Sequence, residues 1–147
     1  MPSVFSSITI GAPADRTWAL IREFNGLPSW LPFVVASEIE GGGPANEVGA
    51  VRRLTGDDGG VLRESLLEHS DEERYYRYGI LESPLPVRDY VGEARVAQDG
   101  ADSSILTWTS TWDNDPEVEQ EMLDVLGNQL LPTGLAAAKA AVEASAS

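Results

Sequence analysis

The sequence of 147 residues contains no cysteine and only one histidine, His69. The absence of cysteine excludes disulfide bonds, thiolate nucleophiles and cysteine–zinc sites. A single histidine cannot form a histidine-clustered metal site. A Ser-His-Asp triad would depend on His69, and the sequence has no Gly-x-Ser-x-Gly elbow for the nucleophile. We therefore expect neither a catalytic triad nor a bound metal.

Basic residues are also scarce: 10 Lys and Arg stand against 24 Asp and Glu, and the formal net charge is −14. Nucleic acids and anionic membranes both attract clustered basic side chains, so we expect neither as a partner. No apolar run approaches the ~20 residues of a membrane span. The first residues, MPSVFSSITI, do not have the basic start and long apolar stretch of a signal peptide. These features favour a cytoplasmic location.

Nucleotide and calcium motifs are missing as well. Gly41-Gly42-Gly43 has no Gly-Lys-Ser/Thr ending, and no Gly-x-Gly-x-x-Gly occurs. Residues 113–117 start like a calcium loop, but Val118 occupies the sixth position, where glycine is needed, and Asp124 occupies the twelfth. Helix capping explains that segment better, and we expect no cofactor.

Hydrophobic residues make up 42% of the chain, which suffices for a core in one domain spanning 1–147. Clusters of Gly, Pro, Asn, Asp and Ser recur between runs rich in Val, Ile, Leu, Tyr, Thr and Trp. This alternation predicts a meander of strands joined by turns. The seven predicted strands are residues 3–10, 34–40, 48–55, 61–68, 74–82, 88–97 and 104–113.

Two helices interrupt or follow the strands. The first starts at Pro13, shows helical spacing as far as Phe24, and is stopped by Gly26 and Pro28; residues 29–31 are predicted to form a short second helical segment. The last helix starts at Asp115, a natural N-cap, with Pro116 in its first turn, and continues to about residue 143.

The last helix should leave a hollow beside the sheet. Pro132 interrupts its hydrogen-bond ladder and predicts a kink. Gly127 and Gly134 remove side chains on either side of that proline. Helices gathered on one face of an antiparallel sheet make an α+β domain.

Several segments carry a resemblance through their order and spacing. They are residues 18–24 with 28–33, Val48-Gly49, 64–68 with 71–74, and Ser83-Pro84-Leu85-Pro86-Val87 leading to Tyr90. With these segments the chain resembles the helix-grip proteins of the Bet v 1-like and START-related (SRPBCC) superfamily, which includes bacterial polyketide cyclase/dehydrase-type proteins and plant abscisic-acid receptors. The resemblance implies a curved seven-stranded antiparallel sheet wrapped around the long C-terminal helix.

In that superfamily the ligand lies between the sheet and the long helix, under loops at one end. The resemblance makes residues 83–87 (the 83–87 loop) a gate and residues 56–60 (the 56–60 turn) its neighbour. A receptor lysine that pairs with the hormone's carboxylate corresponds here to Val35, so the hormone is not implied. The matching pocket positions are Arg52, Leu54, Glu64, Tyr78, Ile80, Tyr90, Leu126, Leu130 and Gly134.

Glu64 is the leading candidate for chemistry. Period-two alternation places it with Leu62 and Leu66 on one face of its strand. A carboxylate on an inward face is costly unless it is paired, and Arg52 on the adjacent strand can pair with it. Glu64 could anchor a ligand, act as an acid or base with a raised pKa, or form only a structural ion pair. If this face of the strand instead points to solvent, Glu64 is an ordinary surface carboxylate.

Aromatic residues supply the remaining candidates. Tyr76, Tyr78 and Tyr90 suit either a cavity lining or ordinary sheet packing. Alternation alone does not decide which face of residues 104–113 points inward. The gain from burying large apolar side chains favours the face with Trp108 and Trp112. We add both to the ligand-binding candidates.

Other aromatic residues have structural roles in this interpretation. Trp18 and Trp30 are expected to define the fold, with Trp30 also able to cap the cavity. His69, at a strand end before an acidic turn, is expected to be exposed to solvent.

The sequence therefore predicts binding of a small hydrophobic molecule, such as a lipid, polyketide or aromatic metabolite, between sheet and helix. The alternative is a polyketide cyclase or dehydratase that uses Glu64 as acid or base. A third hypothesis is a homodimer or a protein partner that docks on the 83–87 loop, whose two prolines make an exposed, partly apolar surface.

Overall fold

A computed structural model describes residues 1–145. Seven antiparallel strands form one curved sheet in the order β1-β7-β6-β5-β4-β3-β2. This arrangement is the helix-grip fold that the sequence predicts. The strands are β1 (Ser3–Ile10), β2 (Val34–Ile39), β3 (Val51–Gly56), β4 (Val61–Ser70), β5 (Tyr75–Glu82), β6 (Arg88–Gln98) and β7 (Ser104–Asp113).

The helices are α1 (Ala14–Ile21), α2 (Glu119–Leu123) and α3 (Leu131–Ser145), with a π-helical stretch at Asp124–Leu130 between the last two. Short 3₁₀ turns lie at Leu27–Ser29, Glu40–Gly42 and Pro116–Val118. The first helix ends at Ile21 rather than Phe24. Among the described residues, no helix has the length and apolarity that crossing a bilayer requires.

The alternation along β7 determines which side chains reach the interior. Ser104, Leu106, Ser110 and Trp112 are buried, and half-buried Trp108 shares their face, where its Nε1 donates to the inward Tyr78 hydroxyl; the threonines lie on the other face. The prediction that the tryptophans face inward is therefore confirmed. β3 starts three residues later than predicted, because Gly49 has a φ of 98° and interrupts the extended backbone.

The turn between β4 and β5 holds α1 against the sheet. The Trp18 indole Nε1 and the Arg22 Nε each donate to Asp71 Oδ1 at 2.8 Å. The hydrogen bonds from Arg22 and Trp18 lower the pKa of Asp71 to about 2. This carboxylate therefore stays ionised and joins the helix to the turn.

His69 was expected to be exposed to solvent, but it is half-buried. Its ring stacks on Tyr76 at 6.4 Å between centroids and lies 5.5 Å from the Trp18 ring. Its Nε2 is 3.1 Å from the carbonyl oxygen of Arg22. The expectation was wrong because a bulge in β4 between Leu66 and Glu68 turns His69 to the inner face, where α1, distant in sequence, covers it.

The C-terminal helix departs from regular α geometry at its start, where an N-cap was predicted, and before Pro132, where an irregularity was predicted. Asp115 makes no side-chain cap; its carboxylate accepts a hydrogen bond from Arg88 Nη1 at 3.1 Å, and the chain enters the helix through a 3₁₀ turn. The irregularity predicted at Pro132 is the π-helical stretch that ends two residues before it. Because proline has no N–H and crowds the carbonyl four residues earlier, a wider turn there relieves both problems.

Two glycines on this helix have different surroundings. A Cβ on Gly127 would lie 3.0 Å from Val4 Cγ1, so this glycine allows the helix to approach β1. A Cβ on Gly134 would meet only Leu31 Cδ1, at 3.6 Å. The prediction that these positions leave room on one side thus holds for Gly134, whereas Gly127 serves close packing.

Candidate ligand-binding cavity

A cavity of about 510 Å³ lies between the inner face of the sheet and the C-terminal helix. Its wall comes from β3, β4, β5, β6 and β7, from the helix between Leu126 and Gly134, and from the segment that carries Leu27, Leu31 and Val34. The 56–60 turn and the 83–87 loop, through Pro84 and Leu85, contribute at its mouth. The positions that the resemblance assigns to gate and neighbour therefore border one opening.

Ten of the eleven predicted site residues line this cavity. They come from five strands and the helix, so the fold brings distant segments to one space. They are Arg52, Leu54, Glu64, Tyr78, Ile80, Tyr90, Trp108, Leu126, Leu130 and Gly134.

Trp112, the eleventh, does not belong to the cavity wall among the described residues. Its side chain is 0% exposed, and its Nε1 donates to Asn114 Oδ1 at 2.7 Å. Its ring stacks on Tyr90 with centroids 6.5 Å apart. Trp112 therefore supports a lining residue. Trp30 is also buried and does not line the cavity, so it does not cap it.

Arg52 and Glu64 form a buried ion pair in the cavity wall. They are directly opposite each other on β3 and β4, and their side chains are 1% and 6% exposed. Arg52 Nε donates to Glu64 Oε1 at 2.8 Å, and Nη2 lies 2.7 Å from the same oxygen. The alternation argument thus identified a real contact between two inward-facing charges.

The environment of Arg52 keeps it charged. Burial alone would lower the pKa of the guanidinium, but the Glu64 carboxylate and the nearby tyrosines outweigh it and raise the pKa above its usual range. Nη1 donates to the Phe24 carbonyl at 2.7 Å, and the guanidinium carbon lies 4.0 Å from the Phe24 ring centroid. The pair is an ionised, closely packed unit.

One carboxylate oxygen of Glu64 remains available. Both Arg52 contacts go to Oε1, and within residues 1–145 no hydrogen bond reaches Oε2. Because Glu64 lines the cavity, it can offer an ionised acceptor to a bound molecule.

Each tyrosine hydroxyl in the cavity wall already has a hydrogen-bond partner in the protein. Trp108 Nε1 donates to the Tyr78 hydroxyl at 3.0 Å, and the Tyr90 hydroxyl is 2.5 Å from Ser110 Oγ. Burial raises the pKa of Tyr78 well above its ordinary value and also raises the pKa of Tyr90. Both therefore stay neutral phenols.

Tyr76 was also a candidate, but it lies behind the cavity wall. It is 0% exposed and contacts Phe24, His69 and Tyr78. Burial raises the pKa of its phenol, and no partner within the described chain accepts its hydroxyl hydrogen under normal geometry.

The family model for polyketide cyclase / dehydrase and lipid transport proteins matches residues 1–143. The chain belongs to this family. No curated protein sequence matches the chain.

Solved structures show the same fold. The protein XoxI from Bacillus cereus is 30% identical, with a TM-score of 0.87 and coverage of 100% of this chain and 99% of that one. The Zhui aromatase/cyclase from a Streptomyces species is 22% identical, with a TM-score of 0.80 and coverage of 99% and 96%. Norcoclaurine synthase from Thalictrum flavum, solved with dopamine and hydroxybenzaldehyde, is 20% identical, with a TM-score of 0.79 and coverage of 97% and 87%.

Two features of this polyketide cyclase/dehydrase-family chain escaped the sequence argument. The cavity residue on β2 is Val34; Val35 is 57% exposed, because a bulge between Val34 and Ala36 shifts the register. Both residues are valines, so this strand offers no lysine to a ligand carboxylate at either position. Gly92 was also missed: a Cβ there would lie 2.3 Å from Tyr78 Cζ, so the Tyr78 ring lies across this glycine. A glycine inside a strand was the available signal.

Proposed function

We propose that this protein binds a small, largely apolar molecule in the cavity between the sheet and the C-terminal helix. The observation that carries the proposal is a volume of about 510 Å³ enclosed mainly by aliphatic and aromatic side chains. This volume lies within the ~300–1,000 Å³ range of small-molecule sites, which combine apolar walls with few polar groups. The Arg52–Glu64 pair is the charged group at its buried end.

The cavity suits a compact, ring-containing molecule. Tyr78, Tyr90 and Trp108 present aromatic surface from three neighbouring strands, and such surfaces favour stacked or edge-on contacts with a ligand ring. An aromatic metabolite or a cyclised polyketide fits this lining. The family description also includes lipid transport, so a lipid remains a candidate ligand.

Filling the cavity from the helix should abolish binding without unfolding the protein. Gly134→Leu adds an isobutyl group to a wall position where only Leu31 is near, and replacing a helical glycine gains up to about 1 kcal/mol of helix propensity. We expect at least a tenfold loss of affinity for N-phenyl-1-naphthylamine, a neutral fluorescent probe, measured by titration.

Ala136→Leu is the matched control because it adds a side chain to an exposed position of the same helix. It should leave the affinity for the probe within twofold of the original chain. Equal binding by Gly134→Leu and the original chain would place the probe elsewhere and contradict the proposal. Native mass spectrometry of freshly purified protein, followed by denaturing extraction, would identify a co-purifying ligand.

A second candidate function is an enzyme of the cyclase or dehydratase kind. The observation that favours it is the free Oε2 of Glu64, an ionised acceptor inside an apolar cavity. In that case Glu64 takes a proton from the bound molecule, and Arg52 or a neutral tyrosine such as Tyr78 stabilises the charge that develops.

The enzyme hypothesis predicts a large effect of Glu64→Gln. With a substrate class taken from the extracted ligand, turnover should fall by roughly a hundredfold or more, the usual range for a general base. Tyr78→Phe is the comparison variant, since it keeps the ring and removes only the hydroxyl. Unchanged turnover in a folded Glu64→Gln protein, checked by circular dichroism, would exclude Glu64 as the base.

A further inference from the structure

We propose that the cavity selects apolar molecules that carry a hydrogen-bond donor, a hydroxyl or a protonated amine, and discriminates against carboxylates, with Glu64 Oε2 as the acceptor. The inference rests on the proposed binding function and specifies the chemical class of its ligand. Four observations support it, two at the buried end of the cavity, one at its mouth and one from the cavity's total charge.

The one cation in the wall is not available to an anionic ligand. All three guanidinium nitrogens of Arg52 already meet acceptors: Nε and Nη2 face Glu64 Oε1, and Nη1 donates to the Phe24 carbonyl. The planar faces are also covered, with the Phe24 centroid at 4.0 Å and the Tyr78 centroid at 5.1 Å. With 1% of its side chain exposed, Arg52 has almost no surface that a ligand carboxylate could contact.

The remaining polar groups at the buried end leave one acceptor free. The Tyr78 hydroxyl accepts from Trp108 and interacts with the Tyr90 hydroxyl, which is also paired with Ser110 Oγ. Glu64 Oε2 has no hydrogen bond from residues 1–145, although the side chain is only 6% exposed. This oxygen is open to the cavity and not sealed in the core, so a ligand hydroxyl or ammonium can donate a charge-assisted hydrogen bond to it.

The mouth of the cavity carries further negative charge. Asp57 and Asp58 line it from the exposed 56–60 turn, where Asp58 also accepts the Gly60 N–H at 2.8 Å. The opposite side of the wall contributes Gln129 and Thr133, which are uncharged.

The sum of the lining charges is negative. Three carboxylates, those of Asp57, Asp58 and Glu64, face one guanidinium, that of Arg52, and give a formal charge of −2. An anion would meet repulsion at the entrance and again beside Glu64, where the low dielectric strengthens it. A neutral or cationic donor meets neither.

The test is a series of matched probes on one naphthalene scaffold. 2-Naphthalenemethanol, 2-naphthalenemethylamine, 2-methylnaphthalene and 2-naphthoate differ only in the group on one carbon. Their affinities at pH 7 would be measured by displacement of N-phenyl-1-naphthylamine. Because a hydrogen bond to a charged group contributes about a tenfold to hundredfold gain, we expect the alcohol and the amine to bind at least tenfold tighter than 2-methylnaphthalene.

The same series separates this inference from the binding proposal. We expect 2-naphthoate to bind more weakly than 2-methylnaphthalene. If 2-naphthoate binds as tightly as the alcohol, the selectivity is overturned while the apolar cavity stands. If neither the fluorescent probe nor 2-methylnaphthalene binds, the binding proposal itself fails.

Charge-removing variants then locate the selectivity. Asp57→Asn/Asp58→Asn should raise the affinity for 2-naphthoate by about two- to fivefold, as expected for exposed charges. Asp99→Asn/Asp102→Asn removes the same charge from an exposed turn that does not border the cavity, and should not change it. If both double variants gain the same affinity for 2-naphthoate, the effect comes from the net charge of the protein, and the proposed role of Asp57 and Asp58 is overturned.

Glu64→Gln tests the buried acceptor directly. It should remove most of the advantage of the amine over 2-methylnaphthalene, because the amide oxygen is uncharged. Retention of that advantage in a folded variant would overturn the assignment of Glu64. Should this variant fail to fold, the unsubstituted protein with the four probes already decides the selectivity.

Discussion

Glu64→Leu is expected to lower the free energy of unfolding by about 3–5 kcal/mol, the range for removing one partner of a buried ion pair. The guanidinium of Arg52 would remain in a site where it is 1% exposed, with its principal counter-charge gone. Arg52 cannot lose its proton to escape this cost, since arginine stays charged in proteins. The destabilisation should appear as a lower urea midpoint, followed by tryptophan fluorescence.

The double variant Arg52→Met/Glu64→Leu is the decisive comparison. Replacing a whole buried ion pair by apolar side chains of similar size is often neutral or stabilising. Here the Phe24 carbonyl would lose its donor, which costs about 1–3 kcal/mol. We expect the double variant to be more stable than Glu64→Leu alone. If Glu64→Leu is as stable as the original protein, then leaving Arg52 without its counter-charge has no cost, and the prediction is wrong.

The fold and the ion pair could be predicted because each depends on local pattern. Turn-forming clusters separate the strands, and alternation within a strand assigns each side chain to a face. Glu64 between Leu62 and Leu66 had to be inward if the leucines were, and a partner had to come from a neighbouring strand. Arg52 satisfies that requirement, and the two residues are directly opposite in the register.

The errors occur where a segment distant in sequence decides the outcome. Alternation continued from Leu66 puts His69 on the outer face, but a bulge between Leu66 and Glu68 turns it inward, where α1 covers that end of β4. It places Trp112 inside but does not show that Tyr90 separates it from the cavity. A capping signal at Asp115 was present in the sequence, but Arg88 competes for the same carboxylate. Each outcome depends on tertiary contacts that no window of the sequence contains.

The two helix glycines show how the cavity arises from the packing of the sheet and helix. Gly127 removes a side chain where the helix would otherwise strike Val4, at 3.0 Å, so it brings the helix close to β1. Gly134 removes one where only Leu31 is near, at 3.6 Å, so it leaves space. The same residue type therefore tightens one part of the helix–sheet contact and opens the other. Gly127 lies within the π-helical stretch at Asp124–Leu130, whereas Gly134 lies in the regular helix α3 that follows it.

Gly92→Ala is expected to disturb the cavity wall more than any other single methyl addition to the sheet. Gly92 is opposite Tyr78 across β5 and β6, and the new Cβ would lie 2.3 Å from Tyr78 Cζ and 2.5 Å from its hydroxyl oxygen. The ring cannot yield freely, because Tyr76, Tyr90 and Trp108 surround it. Overpacking of this kind typically costs about 1–3 kcal/mol, and the displaced ring should also weaken probe binding.

Gly79→Ala supplies the control for this prediction. Gly79 lies on the same pair of strands, but an added Cβ would meet its nearest atom, the Tyr90 carbonyl oxygen, only at 3.5 Å. It should cost less than about 1 kcal/mol and leave the Trp108 indole N–H resonance in place, whereas Gly92→Ala should shift it because the bond to Tyr78 is disturbed.

The source of the Gly92→Ala effect can be isolated by shortening its partner. In a Tyr78→Leu background the ring atoms that the new methyl would strike are absent, so Gly92→Ala should then cost much less than it does alone. Residues in contact show such non-additivity, and distant ones do not. Equal costs in the two backgrounds would mean that the glycine is needed for its backbone rather than for the Tyr78 ring. A large coupling would establish that the aromatic wall depends on a glycine on the neighbouring strand.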